Sequence, residues 1–151
     1  NTLEHFLMGH DFPERELLER LDYMLFEYVT NIPRAGIPLR HAVLMAKESQ
    51  LPCGLAHTDL PMAFPDLNPE DLIVKLMSAG MFIELNDAYR RPGERHPFYD
   101  HYRPYFPIAK EKGLKFSAGT DAHHQMTGPA KRAVRFLMDS GLQNQIFRGI
   151  S

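Results

Sequence analysis

The chain has 151 residues, 44% of them hydrophobic and 24% charged, with a formal net charge of −2. That is enough sequence for one domain with a real core, and Lys and Arg form no run of the kind that marks a nucleic-acid footprint, so no nucleic-acid partner is expected. The one cysteine, Cys53, excludes an internal disulfide framework and suits a reducing, cytoplasmic setting; no apolar stretch approaches the roughly 18–20 residues of a membrane span, and the opening "NTLEHFLMGHDF" lacks the basic and apolar regions of a signal peptide.

In chain order, "DFPERELLERLDYMLFEYVTNI" (11–32) reads as a helix. Asp11 suits the N-cap, Pro13 the first turn, and Glu14 and Glu16 the positive end of the dipole. Leu17, Leu18, Leu21, Met24, Leu25 and Tyr28 then recur at helical spacing as a core-facing stripe. "IPRAGIP" breaks it. A second helix is expected over 39–50, followed by a short strand, "CGLAH" (53–57). "NPEDLIVKLMSAG" (68–80) opens on an Asn cap with Pro behind it and stops on Gly80. "MFIELN" (81–86) is the next strand, then a polar loop and a helix over 99–112 that Pro104 and Pro107 should break or delay. "LKFSAG" (114–119) is a third strand, and "GPAKRAVRFLMDSG" (128–141) a last helix. Helix then strand, three times over, is the rhythm of βα units on a parallel sheet, and the fold class expected is α/β.

In such architectures the reactive groups stand just past the C-terminal strand ends. The first strand here ends in "AHTD" (His57, Asp59), the second in "ELND" (Glu84, Asn86, Asp87) and the third in "GTDAHH" (Asp121, His123, His124). Each alone has a structural reading: His57 as a packed histidine, Glu84 as a cap or an arginine's partner, Asp121 as a helix N-cap. Three consecutive strand ends carrying such groups favour a common site. Residues i and i+2 of an extended segment face the same side, so Asp121 and His123 could serve one metal or two adjacent ones. A carboxylate with imidazoles suits zinc, iron or manganese. Gly119, with Ser117 and Ala118, would let the backbone crowd a ligand. His5 and His10 could close an earlier strand. His41 reads as structural, His96 and His101 as loop residues, and Cys53 as a small buried side chain.

"GLAHTDL", "FIELNDAYRRPG" and "KFSAGTDAHH", in this order and spacing, resemble the C-terminal half of PHP (polymerase and histidinol phosphatase) domains, with histidinol-phosphatase-type members the nearest in pattern. The likeness covers roughly residues 50–142. It implies a distorted (β/α)7 barrel with a two- or three-metal site (Zn, Fe or Mn) that hydrolyses a small-molecule phosphate ester by metal-activated water. It implies His57, Asp121 and His123 as metal ligands, with Asp121 and His123 central to catalysis. His5 in "EHFL" would be another ligand, with His10 as competitor. Arg91, or failing that Arg90, would bind the substrate phosphate, and Glu84 and Asn86 would shape the site from behind the ligands. Thr120 stands where the family has Ser. The family's N-terminal His-x-His, a following Asp-His and a ligating Glu have no counterpart, so residues 1–151 are expected to form a single domain, the C-terminal portion of such a barrel. The rival readings are an amidohydrolase-type metal hydrolase, which would not need His123, and a non-catalytic PHP-like binding module.

Overall fold

A computed structural model describes residues 18–120 and 130–147. Four strands, β1 (Met24–Phe26), β2 (Cys53–Leu55), β3 (Phe82–Asn86) and β4 (Phe116–Gly119), form one sheet in the order β1-β2-β3-β4. Every adjacent pair is parallel. Each connection is helical: α1 (Leu39–Ser49) joins β1 to β2, and α2 (Leu60–Ala63) with α3 (Pro69–Met77) joins β2 to β3. A 3-10 turn (Phe98–Tyr102) and α4 (Phe106–Lys112) lead to β4, and α5 (Lys131–Asp139) follows it. The chain is therefore α/β with alternating βα units and sequential parallel neighbours, and the strand C-termini share one edge of the sheet. Among the described residues no helix is long and apolar enough to cross a membrane.

Local chemistry explains most of the boundaries. Asn68 caps α3 by accepting a hydrogen bond from Asp71 N at 2.8 Å, and Pro69 fills the first turn. Gly113 ends α4 in the left-handed region at φ 82°. Pro104 falls between the 3-10 turn and α4, and Pro107 sits in the first turn of α4, so the expected interruption is present.

One expectation is overturned. Residues 11–32 do not form a single helix, because Met24–Phe26 is the edge strand β1, paired to Cys53–Leu55. Leu21, Leu25 and Tyr28 of the proposed stripe are exposed, while Phe26 and Val29 are buried. "MLFEYVTNI" is rich in aromatic and β-branched residues, which fit a pleated strand better than a helix. The number of strands rises from three to four.

The register divides the sheet into two unlike faces. Met24, Cys53, Ile83 and Phe116, with Phe26, Leu55, Leu85 and Ala118, share one face. Most of these side chains enter a core with Leu39, Ala42, Leu72, Leu76, Ala109 and Leu137 from the helices. The opposite face carries Leu25, Gly54, Phe82, Glu84, Asn86, Ser117 and Gly119. There the Phe82 ring lies on Gly54, where any Cβ would stand 2.3 Å from it. Toward the C-terminal edge this face becomes polar, with Glu84 and Asn86 both buried.

Candidate functional site

Glu84 organises the C-terminal edge. Its Oε2 accepts a hydrogen bond from the His57 backbone N–H at 2.9 Å and another from Asn86 Nδ2 at 3.3 Å. Its Oε1 lies over Gly119, so close that a Cβ there would be 2.0 Å away. One carboxylate thus links the ends of β2, β3 and β4. Gly119 is needed for this approach: it makes room for Glu84 rather than for an outside ligand. Among the described residues no cation pairs with Glu84, and its partners are neutral donors. A buried carboxylate in that condition favours any positive charge that can reach it.

His57 follows β2 with φ 27°, a left-handed backbone that a non-glycine residue adopts at a cost. Its ring stacks on Tyr89, with centroids 3.9 Å apart and planes 8° from parallel. The side chain is only 10% exposed, and its Nε2 is buried without a hydrogen-bond partner among the described residues. The nearest acidic group is Glu27 Oε1 at 3.6 Å, beyond hydrogen-bond range. A fixed, buried imidazole nitrogen without a partner among the described residues is available as a ligand. His57 Nε2 and the Glu27 carboxylate are two donors that a cation at this end of the sheet could share. Among the described residues, no three His, Cys, Asp or Glu side chains stand close enough to hold a metal by themselves.

The two arginines separate clearly. Arg91 forms a fork with Asp59, Nε to Oδ2 at 2.6 Å and Nη2 to Oδ1 at 2.9 Å. This pairing pushes the guanidinium pKa further up and fixes the plane of the group. Its Nη1 makes no hydrogen bond among the described residues and remains a donor for an anion. Arg90 instead donates to three carbonyls of its own loop, Arg95 at 3.1 Å, Ala88 at 3.0 Å and Asp87 at 3.2 Å. Its charge secures the loop after β3 and is not presented for a ligand. Asp59 opens α2 without capping it, since its carboxylate is committed to Arg91.

The surrounding hydrogen bonds make this loop rigid. Asn86 Oδ1 accepts from Ala88 N at 2.9 Å, and Asp87 Oδ1 accepts from the Tyr99 hydroxyl at 2.7 Å. The buried Tyr102 hydroxyl donates to the Thr58 carbonyl, which ties the turn after β2 to the 3-10 segment. Burial pushes the phenols of both Tyr99 and Tyr102 well up.

Of the residues singled out from sequence, His57, Glu84 and Asn86 are brought together, and Arg91 with Asp59 stands beyond the end of β2. Asp121, His123, His124, His5 and His10 lie outside the described residues. Two participants were missed. Tyr89 gave no signal beyond its place two residues before Arg91. Glu27 was hidden by the helical reading of 11–32; as a strand it has an acid directly after its end, like the others. His41 is an exposed helical residue, and His96 and His101 pair with Asp100 at 2.9 Å and Glu94 at 2.8 Å. Comparison with protein-family models, with curated proteins and with solved structures finds no match.

Proposed function

We propose that this chain carries part of a metal-dependent phosphoesterase site of the PHP type, on an arc of a distorted (β/α)7 barrel, acting on a small phosphate monoester. The observation that carries the reading is the buried, unpartnered Nε2 of His57 at a C-terminal strand end, beside a buried carboxylate that has no cation among the described residues. The polar face of the sheet, holding Glu84, Asn86, Ser117 and Gly119, corresponds in this reading to the barrel interior. His57 would be a metal ligand, joined by Asp121 and His123, which follow β4 by two and four residues. Zinc, iron or manganese ions bound there would supply an activated water and polarise the phosphoryl oxygens.

The chain's own residues do the rest. Glu84 holds the His57 backbone through its N–H, and Tyr89 holds the ring in plane, so the nitrogen is aimed before a ligand arrives. Asp59 fixes Arg91, and the unused Nη1 donors would bind a phosphate oxygen and neutralise charge that builds up during transfer. The test is hydrolysis of 4-nitrophenyl phosphate by the 151-residue chain with Zn2+, Mn2+ or Fe2+. Activity is expected with one of these ions and is expected to vanish in Asp121→Asn with the thermal melt unchanged. Turnover equal in that variant and in the parent chain would end the proposal.

A further inference from the structure

Beside His57 and Asp59 lies a cavity of about 380 Å³, lined by Val29, Ile32, Met62, Ala63 and Phe98 among others. Its size is within the range of about 300–1,000 Å³ typical of small-molecule sites. Tyr28, Ile32 and Met62 are exposed around it, so apolar side chains face water at the mouth of the cavity.

The wall includes His57, Tyr28 and Tyr89, and its other polar side chains already have partners. Thr30 Oγ1 donates to the Ala63 carbonyl at 2.8 Å and accepts from Ile32 N at 3.1 Å. Thr58 Oγ1 donates to the Ala56 carbonyl at 2.8 Å. Asp59 gives both carboxylate oxygens to Arg91, and the Ala56 and Ala63 amides donate to Phe26 and Asp59 carbonyls. The buried nitrogen left over is His57 Nε2. A polyhydroxylated group entering here would meet His57 Nε2 and the tyrosine hydroxyls and otherwise few partners, so most of its hydrogen bonds to water would go unreplaced. An apolar ring would cover exposed Ile32 and Met62 and lose nothing.

We infer that this cavity binds the alcohol portion of the substrate, and that the chain selects phosphate monoesters of apolar, ring-bearing alcohols over those of sugars or polyols. The assignment rests on the hydrolase reading above for the phosphate end, whereas the cavity's preference for an apolar ring stands on the wall itself. In the reaction, a water oxygen bonds to phosphorus, the ester P–O bond breaks, and the released alcohol takes up a proton.

The experiment has a binding arm and a turnover arm, both on the 151-residue chain. Titration calorimetry with 2-naphthol should show saturable one-to-one binding. Met62→Glu, at an exposed position that tolerates charge, should weaken it at least tenfold, while Leu44→Glu, exposed on α1 away from the cavity, should not. In turnover, kcat/KM for 2-naphthyl phosphate should exceed that for glycerol 1-phosphate by at least a hundredfold. Binding with this variant pattern but no hydrolysis of either ester would remove the hydrolase reading and leave the cavity assignment standing. Equal turnover of the two esters, or no saturable 2-naphthol binding, would overturn the inference.

Discussion

A methyl group added at Gly119 would stand 2.0 Å from Glu84 Oε1 and 2.9 Å from Glu84 Cδ. No flexible tail can absorb that contact, because Oε2 of the same carboxylate is held by His57 N–H at 2.9 Å and Asn86 Nδ2 at 3.3 Å. In Gly119→Ala the carboxylate must therefore shift and give up one of these hydrogen bonds. Hydrogen bonds to a charged group contribute about 1.5–3 kcal/mol. Against this, Gly119 has no left-handed backbone, so alanine lowers the unfolded chain's entropy and stabilises by about 0.4–1 kcal/mol. The net expected loss is about 1–2 kcal/mol. At about 2–4 °C per kcal/mol for a chain of this size, Tm should fall by roughly 2–8 °C. A double-mutant cycle isolates the cause. In a Glu84→Ala background the obstruction is gone, and Gly119→Ala should leave Tm unchanged or raise it by roughly 1–4 °C. Thermal melts of the four proteins by circular dichroism give the answer. The reasoning is refuted if Gly119→Ala is stabilising with Glu84 present, or equally destabilising with and without it.

Arg91→Lys should raise KM for 4-nitrophenyl phosphate at least tenfold, since an ammonium cannot hold the Asp59 fork and reach an anion together, while Arg90→Lys should change only the thermal melt. Cys53, fully buried with its thiol pKa pushed up by burial, should resist alkylation in the folded chain and react once urea unfolds it; reaction with iodoacetamide in native buffer would contradict its placement. Tyr99 and Tyr102 have raised pKa values in the folded state, so the unfolded chain releases their protons first, near about pH 10. Their contribution to stability is thus present below about pH 10 and lost as pH rises further. Urea midpoints should fall over that range, and Tyr102→Phe should flatten the slope while lowering the midpoint at neutral pH, because the bond to the Thr58 carbonyl is lost.

The helices with explicit end signals were legible in the sequence. Asn68 and Pro69 opened α3 and Gly113 closed α4 where local chemistry required it. Strands β2, β3 and β4 were legible because short apolar runs end abruptly in His, Asn or Gly. β1 was not, since Leu21, Met24, Leu25 and Tyr28 fit a helical period and only pairing with Cys53–Leu55 decides the matter. That pairing is a long-range fact, and its local mark, the aromatic and β-branched content of "MLFEYVTNI", was outweighed by the helical period. The same holds within the site. His57 and Glu84 could be named from their strand-end positions, but the bond between them spans 27 residues and depends on register. The different commitments of Arg91 and Arg90 depend on the 32-residue reach to Asp59, which adjacent arginines in sequence cannot reveal.

The central proposal is that His57 Nε2, buried and without a hydrogen-bond partner among the described residues, ligates a metal. Its most direct test is the metal affinity of the chain and of His57→Ala, measured by chelator competition with Zn2+ and Mn2+ on protein first stripped of metal. The account predicts at least one tightly held equivalent in the parent chain and an affinity lower by more than about tenfold in the variant, with the fold retained. Equal affinity in the two proteins, or no bound metal in the parent chain, would contradict it.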